Sequence, residues 1–387
     1  MKQRVLINWA FYRPVGHVFE ALQHAYGYYF ANRDKIDIYL ALNAASPVTL
    51  AEACPWVSGV HPVDIKEIMA QGEAAASVQA MPSNWDYVIT DSRLRLELLR
   101  PHKDATELIT VQSVLQGYLR GSVWTGFSRG WECRWNTTGL IGTDDPLPYA
   151  ANAWFRLPIP PDAQLFARRY HHDGPAVCLI PSGFVGLQRS PSLESWNEIL
   201  SALDQALPDL RVYATGVSSS FAGQSYTRGV TSQDIDRLAQ KLSFVTNCFD
   251  IGLWNQIALM AECDILLAPH TGFAFISQFV DTPWLALSGC PWPEYLFNGV
   301  PFYSVIPDCD SYPADGRKES ECNQRLARGQ KTVCMEDESL RARLPDVVEG
   351  ARFLLDEGTT YERAVQTHVE NLKRRKRSFD WFQYFLG

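Results

Sequence analysis

The 387-residue chain has no long uninterrupted apolar run and no excess of positive charge. The apolar stretch 263–289 is interrupted by four residues, namely His270, Gln278, Asp281 and Pro283. No segment therefore reaches the ~18 apolar residues of a membrane-spanning helix. The formal net charge of -8 argues against a nucleic-acid partner. Since the N-terminal residues also lack the pattern of a signal peptide, we expect a soluble, cytoplasmic protein.

Cysteine is neither abundant nor grouped in pairs. Nine cysteines scattered along the chain fit a reducing compartment better than a disulfide framework. Cys309, Cys322 and Cys334 stand more than ten residues apart, whereas soft-metal sites use compact pairs. We interpret these three as free thiols and predict no metal. The alternative is a structural metal site completed by Asp308, Asp310 or Cys290.

The sequence contains neither a GxGxxG fingerprint nor a Walker A motif, so dinucleotide-binding and P-loop functions lack their signatures. What it does contain is an alternation of strand-like and helix-like segments. In the first half, strands are predicted at 4–10, 36–42, 85–90 and 108–111, and a helix at 18–32. Such alternation is typical of a parallel sheet with crossover helices.

Between residues 150 and 174, Pro, Gly and charged residues accumulate without periodicity, which indicates a domain boundary. The alternation then restarts, with predicted strands at 176–180, 210–214, 264–268 and 284–288 and helices at 192–207, 252–262 and 272–280. We therefore predict an α/β fold of two doubly wound Rossmann-like domains, 1–155 and 175–360, facing a cleft. A C-terminal helix at 361–387 is expected to pack back on the N-terminal domain.

Small polar residues follow several predicted strands of the second half. They are Ser182, Gly183 and Gly186, then Gly216 to Ser218, and finally His270, Thr271 and Gly272. Ligands gather at the carboxyl ends of parallel strands, and a helix N-terminus suits a phosphate. With Arg189 as a nearby cation, these residues predict a nucleotide-diphosphate site. The alternative is that Thr271 is only an N-cap and Gly272 only a packing residue.

Residues 244–299 resemble the C-terminal half of the bacterial heptosyltransferases, which form glycosyltransferase family 9. The family's Thr-Gly between a strand and a helix is matched by Thr271 and Gly272, and its Gly-x-x-x-Pro turn by Gly289 and Pro293. Members of this family have two Rossmann-like domains in the arrangement called GT-B. Their C-terminal domain binds a nucleotide-diphosphate sugar, so the resemblance implies the same donor here.

The resemblance also implies roles for individual residues. Arg189, before Trp196, stands where the family has a Lys and would meet the diphosphate. Ile251 would lie near the base, and Gly216 and Ser218 would belong to a ribose-binding loop that lacks the family's acidic residue. The predicted donor site comprises Ser182, Gly183, Arg189, Gly216, Ser218, Ile251, His270, Thr271 and Gly272.

Three residues depart from the family pattern. His17, between Gly16 and Val18, replaces the catalytic Asp, His270 replaces the Asp before Thr-Gly, and Phe275 replaces a helical His. Because the last two would touch the transferred sugar, the donor sugar need not be a heptose. An imidazole has an ordinary pKa of about 6.5 and can take a proton near neutral pH. We predict His17 as the catalytic base, the alternative being a surface or capping His.

The resemblance thus implies an inverting, metal-independent glycosyltransferase that requires no cofactor. Its N-terminal domain would bind the acceptor, which is a saccharide, a protein or a small molecule. Residues 118–135 mix aromatic rings with arginines, a combination suited to sugars and anions. The weak acceptor-side candidates are Arg13, Arg120 and Trp124.

Two other functions would use the same donor site. One is non-catalytic nucleotide-sugar binding, as in an assembly protein. The other is a GT-B sugar-nucleotide epimerase, which usually needs a set of acidic residues around the sugar that these turns lack. Separately, the basic run 373–377 is interpreted as a solvated helix end, with peripheral contact to an anionic membrane as the alternative.

Overall fold

The computed structural model describes residues 2–12, 15–91, 105–121, 124–127, 147–150, 153–183, 186–219, 226–289, 299–309, 312 and 321–375. The chain forms two compact units, with the first ending at Pro158 and the second beginning at Ile159. Within the described ranges, no helix combines the length and apolar character that a membrane span requires.

The first unit contains a five-stranded parallel sheet. Its elements are β1 (Gln3–Trp9), α1 (Val15–Asn32), β2 (Ile36–Asn43), α2 (Thr49–Glu52), β3 (Val57–Val63), α3 (Ile65–Gln71), α4 (Ala76–Gln79), β4 (Asn84–Trp85), β5 (Tyr87–Asp91), α5 (Ala105–Tyr118), β6 (Arg120–Gly121) and β7 (Trp124–Phe127). The strand order is β3-β2-β1-β5-β7, and β4 pairs with β6 in a small separate ladder. Val5, Leu6 and Ile7 of the central strand are fully buried, as expected for a parallel sheet covered on both faces.

Two segments of the first unit differ from the sequence prediction. The predicted strand at 108–111 is wrong, because these residues lie within helix α5. Leu108, Val111 and Leu115 are buried, and their spacing of three and four residues is the period of a helix. Strand β3 was not predicted, because Gly59 and Pro62 interrupt its apolar pattern. It stands at the end of the strand order, where Pro is tolerated.

The second unit contains a six-stranded parallel sheet. Its elements are α6 (Pro161–Ala167), β8 (Ala176–Leu179), α7 (Leu193–Ala206), β9 (Arg211–Gly216), α8 (Ser232–Lys241), β10 (Val245–Phe249), α9 (Leu253–Ala261), β11 (Ile265–Pro269), a 3-10 helix (Gly272–Phe279), β12 (Trp284–Leu287), β13 (Phe302–Val305), α10 (Glu321–Ala327), α11 (Asp337–Arg341), α12 (Leu344–Leu355) and α13 (Tyr361–Arg374). The strand order is β10-β9-β8-β11-β12-β13.

Two parallel sheets with crossover helices confirm the predicted α/β class and its two Rossmann-like domains. In each sheet the chain adds strands first on one side of the unit's first strand and then on the other side, so the strand order reverses at that first strand. Strand β1 lies between β2 and β5, and β8 lies between β9 and β11. Such a reversal leaves a crevice outside the carboxyl ends of the strands, which is where open α/β sheets bind ligands.

Helix α7 connects the core of the second unit to the turn after β8. The helix begins after Ser192, whose Oγ accepts a hydrogen bond of 3.0 Å from the Ser195 amide, so the predicted N-cap is confirmed. Trp196 is fully buried, and its Nε1 donates to the Pro181 carbonyl at 3.1 Å. Burying a large apolar side chain contributes roughly 1.5–3 kcal/mol, so this contact anchors the turn.

Helix α13 packs on the last strand of the second unit. It begins after Thr360, whose Oγ1 accepts from the Arg363 amide at 3.2 Å. The His368 ring is buried and lies 5.5 Å from the Phe302 ring, centroid to centroid. Residues from 376 onward in the predicted C-terminal segment lie outside the described residues. Of the basic run, Arg375 donates to the Asp346 carboxylate.

We predict that His368 makes the second unit less stable in acid. Burial lowers the pKa of His368 to about 3, whereas the unfolded imidazole has its ordinary pKa near 6.5. The unfolded chain then binds more protons below pH 6.5, so stability is lost as the pH falls toward 3. Between pH 8 and pH 5 this loss is about 2 kcal/mol for one imidazole.

His368→Gln is therefore expected to reduce the pH dependence of the free energy of unfolding by about 2 kcal/mol between pH 8 and pH 5. Urea unfolding at both pH values measures this difference. His171→Gln, which removes an exposed imidazole, is the matched control. An equal pH dependence in wild type and His368→Gln would contradict the prediction.

Candidate functional site

The carboxyl ends of four neighbouring strands carry most of the predicted donor residues. Strands β10, β9, β8 and β11 are consecutive in the sheet and parallel, so their carboxyl ends share one edge. The residues that follow them or end them are, in the same order, Asp250 and Ile251; Gly216 and Ser218; Ser182 and Gly183; His270 and Thr271. The fold thus brings to one edge residues that are far apart in sequence.

Gly183 and Thr271 meet at the reversal between β8 and β11. A Cβ atom at Gly183 would lie 2.8 Å from Thr271 Oγ1 and 2.9 Å from its Cβ, too close for a side chain. Thr271 has an extended backbone, with φ -148° and ψ 146°, and its side chain makes no capping hydrogen bond. Although Thr271 holds the N-cap position of the 3-10 helix, its hydroxyl is therefore not used as a cap.

Arg189 lies close enough to His270 to affect its titration. Burial lowers the pKa of His270 to about 3, and the positive charge of Arg189 adds to this lowering. His270 is consequently neutral near pH 7. Arg189 itself is half-buried and follows a short helical turn, in which its amide donates to the Gly186 carbonyl at 3.1 Å. The site therefore combines a guanidinium with a neutral imidazole.

Phe275, which stands where the resemblance placed a His, belongs to the core. Its ring is 5% exposed and lies between His270 and Trp284, at centroid distances of 6.2 and 6.5 Å. Both contacts are edge-on, an arrangement favoured by aromatic pairs. Phe275 therefore packs against the His270 ring from the core.

The turn after β8 is held by a neighbouring segment that includes Arg228. The Ser182 hydroxyl donates to the Arg228 carbonyl at 2.7 Å, and the Arg228 amide donates to the Gly183 carbonyl at 3.3 Å. Gly186 has a φ of +76°, and a Cβ there would lie 3.0 Å from the Arg228 Cβ. Ser182 thus fixes the turn through an internal hydrogen bond. Sequence reasoning missed Arg228, since no motif marks the segment that contains it.

A second cluster surrounds Asp250 at the ends of β9 and β10. The Asp250 carboxylate accepts from the Ser218 amide at 2.8 Å and from its hydroxyl at 2.5 Å. The Asp250 backbone is left-handed, with φ 59°, and its amide donates to the Gly216 carbonyl at 3.0 Å. Asp250 was missed because it lies 32 residues from Ser218 in the chain. It supplies an acidic side chain to a loop whose own sequence has none.

Ile251 and Gly216 complete this cluster. Ile251 is half-buried, and its carbonyl accepts from Asn255 Nδ2 at 2.7 Å in the turn that begins α9. A Cβ at Gly216 would lie 2.4 Å from the Phe249 ring, so only glycine fits there. The Gly216 carbonyl also accepts from the buried Gln256 amide at 3.2 Å. The strand end is therefore tightly packed beneath Asp250.

In the first unit, His17 lies in the first turn of α1, after the carboxyl end of β1. Its Nδ1 is 2.6 Å from Glu20 Oε2, and the two side chains are 29% and 4% exposed. The Tyr12 ring stacks on the imidazole at a centroid distance of 4.4 Å. Glu20 was also missed, although its i, i+3 spacing from His17 is a signal that the two share a helix face.

Little of the predicted acceptor region lies within the described residues. Arg120 is exposed in β6, where its amide donates to the Ser83 carbonyl at 2.6 Å. Trp124 belongs to β7, and its backbone pairs with Val88. Arg13 and most of residues 118–135 beyond these strands lie outside the described residues.

Within the described ranges, no group of three or more His, Cys, Asp or Glu side chains is arranged to hold a metal ion. Cys309, Cys322 and Cys334 are buried and are not in disulfides. The sulfur atoms of Cys309 and Cys322 are 3.6 Å apart. Beside them, the buried Arg343 guanidinium donates to the carbonyls of Ser288 and Val305.

Two doubly wound domains, each with its candidate residues at the reversal of the strand order, are the architecture expected of the GT-B class of fold. No protein-family profile matches the sequence, and no curated protein does. Among solved structures, the chain is similar to the Escherichia coli ADP-heptose LPS heptosyltransferase II, with 14% identity, 89% of this chain and 99% of that chain covered, and a TM-score of 0.52.

It is also similar to a glycosyltransferase family 9 protein of Veillonella parvula, with 12% identity, 92% and 99% coverage and a TM-score of 0.55. A UDP-GlcNAc 2-epimerase of Neisseria meningitidis shares 11% identity over 96% of this chain and 100% of that chain, with a TM-score of 0.42. The first two similarities confirm, at the level of the fold, the heptosyltransferase-like GT-B architecture expected from the sequence.

We predict that Gly183→Ala destabilises the second unit by about 1–3 kcal/mol, since the added methyl group would overlap the Thr271 side chain. Urea unfolding of the purified variant measures the change. Gly358→Ala is the matched control, because a Cβ there has its nearest neighbour at 3.5 Å, the Asp356 Oδ1. Equal stabilities of the two variants would show that the turn does not depend on this close approach.

Proposed function

We propose that the chain is an inverting, metal-independent glycosyltransferase that transfers a sugar from a nucleotide-diphosphate donor to an acceptor hydroxyl. The observation that carries the proposal is the meeting of Gly183 with Thr271 beside Arg189, at the reversal of the second sheet. The fold shared with a heptosyltransferase and a family 9 glycosyltransferase supports it.

In this proposal the diphosphate binds at the start of the 3-10 helix. The helix amides and the Thr271 hydroxyl donate to the phosphate oxygens, and the absence of a side chain at Gly183 lets Thr271 pack against the turn after β8. Arg189 adds a cation with a planar set of donors. These fixed donors stabilise the negative charge that grows on the leaving diphosphate, which is the part a divalent metal would otherwise take.

His270 is the residue proposed to contact the transferred sugar or the diphosphate. Because it is neutral, one ring nitrogen donates a hydrogen bond and the other accepts one, a pattern suited to sugar hydroxyls. The Phe275 ring packs edge-on against the imidazole. Neither His270 nor Phe275 favours a heptose, so the proposal does not specify the transferred sugar.

The Asp250 cluster is proposed to hold the nucleoside. A carboxylate has about four acceptor positions, of which Ser218 occupies two, so the others are suited to ribose hydroxyls. Ile251, directly after Asp250, supplies an apolar surface for the base.

His17 is proposed as the base. The acceptor oxygen attacks the anomeric carbon, the bond from that carbon to the diphosphate oxygen breaks, and the acceptor proton passes to the imidazole. The configuration at the anomeric carbon inverts in this single displacement. A partly exposed imidazole beside a buried carboxylate is suited to this role, since a histidine changes charge near neutral pH.

The donor site is tested by calorimetric titration with ADP, UDP, GDP and dTDP, with and without EDTA. We expect one diphosphate to bind and the affinity to survive EDTA. Arg189→Ala should weaken that binding by about 10- to 100-fold, as expected for the loss of a charged hydrogen-bonding partner. The matched control is Arg211→Ala, because Arg211 begins β9 at the opposite, amino edge of the sheet.

If Arg189→Ala and Arg211→Ala bind the diphosphate with equal affinity, Arg189 is not part of the donor site. If no diphosphate binds the wild type, the proposed function is wrong. Binding that requires a divalent cation would contradict metal independence.

The base is tested with His17→Ala. Donor hydrolysis or transfer should fall by about 10²- to 10⁴-fold, while the affinity for the diphosphate stays as in the wild type. Release of the nucleoside diphosphate from a sugar nucleotide that carries the base found by calorimetry is the assay, and His171→Ala is the control for an exposed histidine. If His17→Ala releases the nucleoside diphosphate as fast as the wild type, His17 is not the base and has a non-catalytic or different role.

A further inference from the structure

We infer that Glu20 holds the proton of neutral His17 on Nδ1 and so leaves Nε2 as the nitrogen that accepts the substrate proton. The assignment of a proton-accepting role rests on the proposed function, whereas the position of the proton does not. No part of the sequence motif that led to His17 includes Glu20, so this residue adds a positioning group to the site.

The contact itself constrains the tautomer. An ionised carboxylate only accepts hydrogen bonds, so an ionised Glu20 whose Oε2 lies 2.6 Å from Nδ1 places the hydrogen on Nδ1. Glu20 is 4% exposed, and burying a carboxylate is costly unless it is hydrogen-bonded. The buried carboxylate therefore favours a donor at this position.

The orientation of the ring is also restricted. His17 and Glu20 belong to one helix, so their backbones move together. The Tyr12 ring covers one face of the imidazole at 4.4 Å, with an angle of 26° between the planes. A ring held on one edge by Glu20 and on one face by Tyr12 has little freedom to exchange its two nitrogens. Nε2 is then the nitrogen with a lone pair.

This arrangement has a consequence for the reaction. When Nε2 takes a proton, the imidazole becomes a cation next to a carboxylate, and the attraction stabilises it. Glu20 acts through His17 and needs no contact with substrate, so it is a positioning residue. A merely structural Glu20 would leave the tautomer and the turnover of a folded variant unchanged.

The tautomer is measured on the full chain labelled with 15N-histidine, from long-range proton–nitrogen correlation spectra at pH 8. The His17 signals are assigned as those missing from His17→Gln. We expect Nδ1 to appear as a protonated nitrogen and Nε2 as an unprotonated one. His172 is an internal reference of the opposite kind, because its Nε2 lies 2.6 Å from the Asp209 carbonyl oxygen and must carry the hydrogen.

Glu20→Ala should give a mixture of His17 tautomers, with His172 unchanged, and should lower kcat at least about 10-fold without changing diphosphate affinity. Glu20→Asp should restore part of the Nδ1-protonated tautomer. Glu52→Ala, which removes an exposed carboxylate from α2 in the same unit, should match the wild type in both measurements.

A wild-type His17 protonated on Nε2 would overturn the inference, whatever the activity. An altered tautomer in Glu20→Ala with unchanged kcat would overturn the positioning role. If the wild type binds no diphosphate and releases none from a sugar nucleotide, the proposed function fails, and with it the positioning role, but the spectra still decide whether Glu20 fixes the proton of His17.

Discussion

The approach of Gly183 to Thr271 is the constraint on which the candidate donor site depends. Two strand ends can come this close only where the first of them carries no side chain, because a Cβ would overlap the threonine. The parallel sheet brings the ends together, Trp196 fixes the turn from the core, and Arg228 fixes it from the neighbouring segment. The polar groups of the site are thus held by a buried aromatic ring and by hydrogen bonds from side chains to backbone carbonyls.

The burial of His270 sets the net charge of the Arg189–His270 pair. His270 loses its proton because it is desolvated and because Arg189 is close, so the pair carries one positive charge rather than two. A site with one guanidinium and one neutral imidazole attracts an anion and still offers a hydrogen-bond acceptor to a neutral sugar. Two cations would attract an anion as well but would leave nothing to accept a hydrogen bond from a hydroxyl.

Much of the fold could be predicted from local patterns, because buried parallel strands are short apolar runs bounded by turns. The misassigned segment 108–111 shows the limit, since three apolar residues and a threonine fit a strand until the helical spacing to Leu115 is considered. Within the candidate site, sequence patterns predicted residues next to the strand ends but not the partners of those residues. Asp250 contacts Ser218 across 32 residues of the chain, and this contact leaves no motif in the sequence. Glu20 contacts His17 within one helix, and its only sequence signal is the i, i+3 spacing.

The two units share a topology but carry different side chains at the reversal of the strand order. In each, the first strand lies at the reversal of the strand order, and the turn that follows it leads to the candidate residues. The second unit places small residues and one guanidinium there, which suits an anion that must be bound and released. The first unit instead places a titratable ring against a buried carboxylate, which suits proton transfer. Shared topology therefore explains where both candidate sites lie, and the side chains at the strand ends explain why the chemistry proposed for them differs.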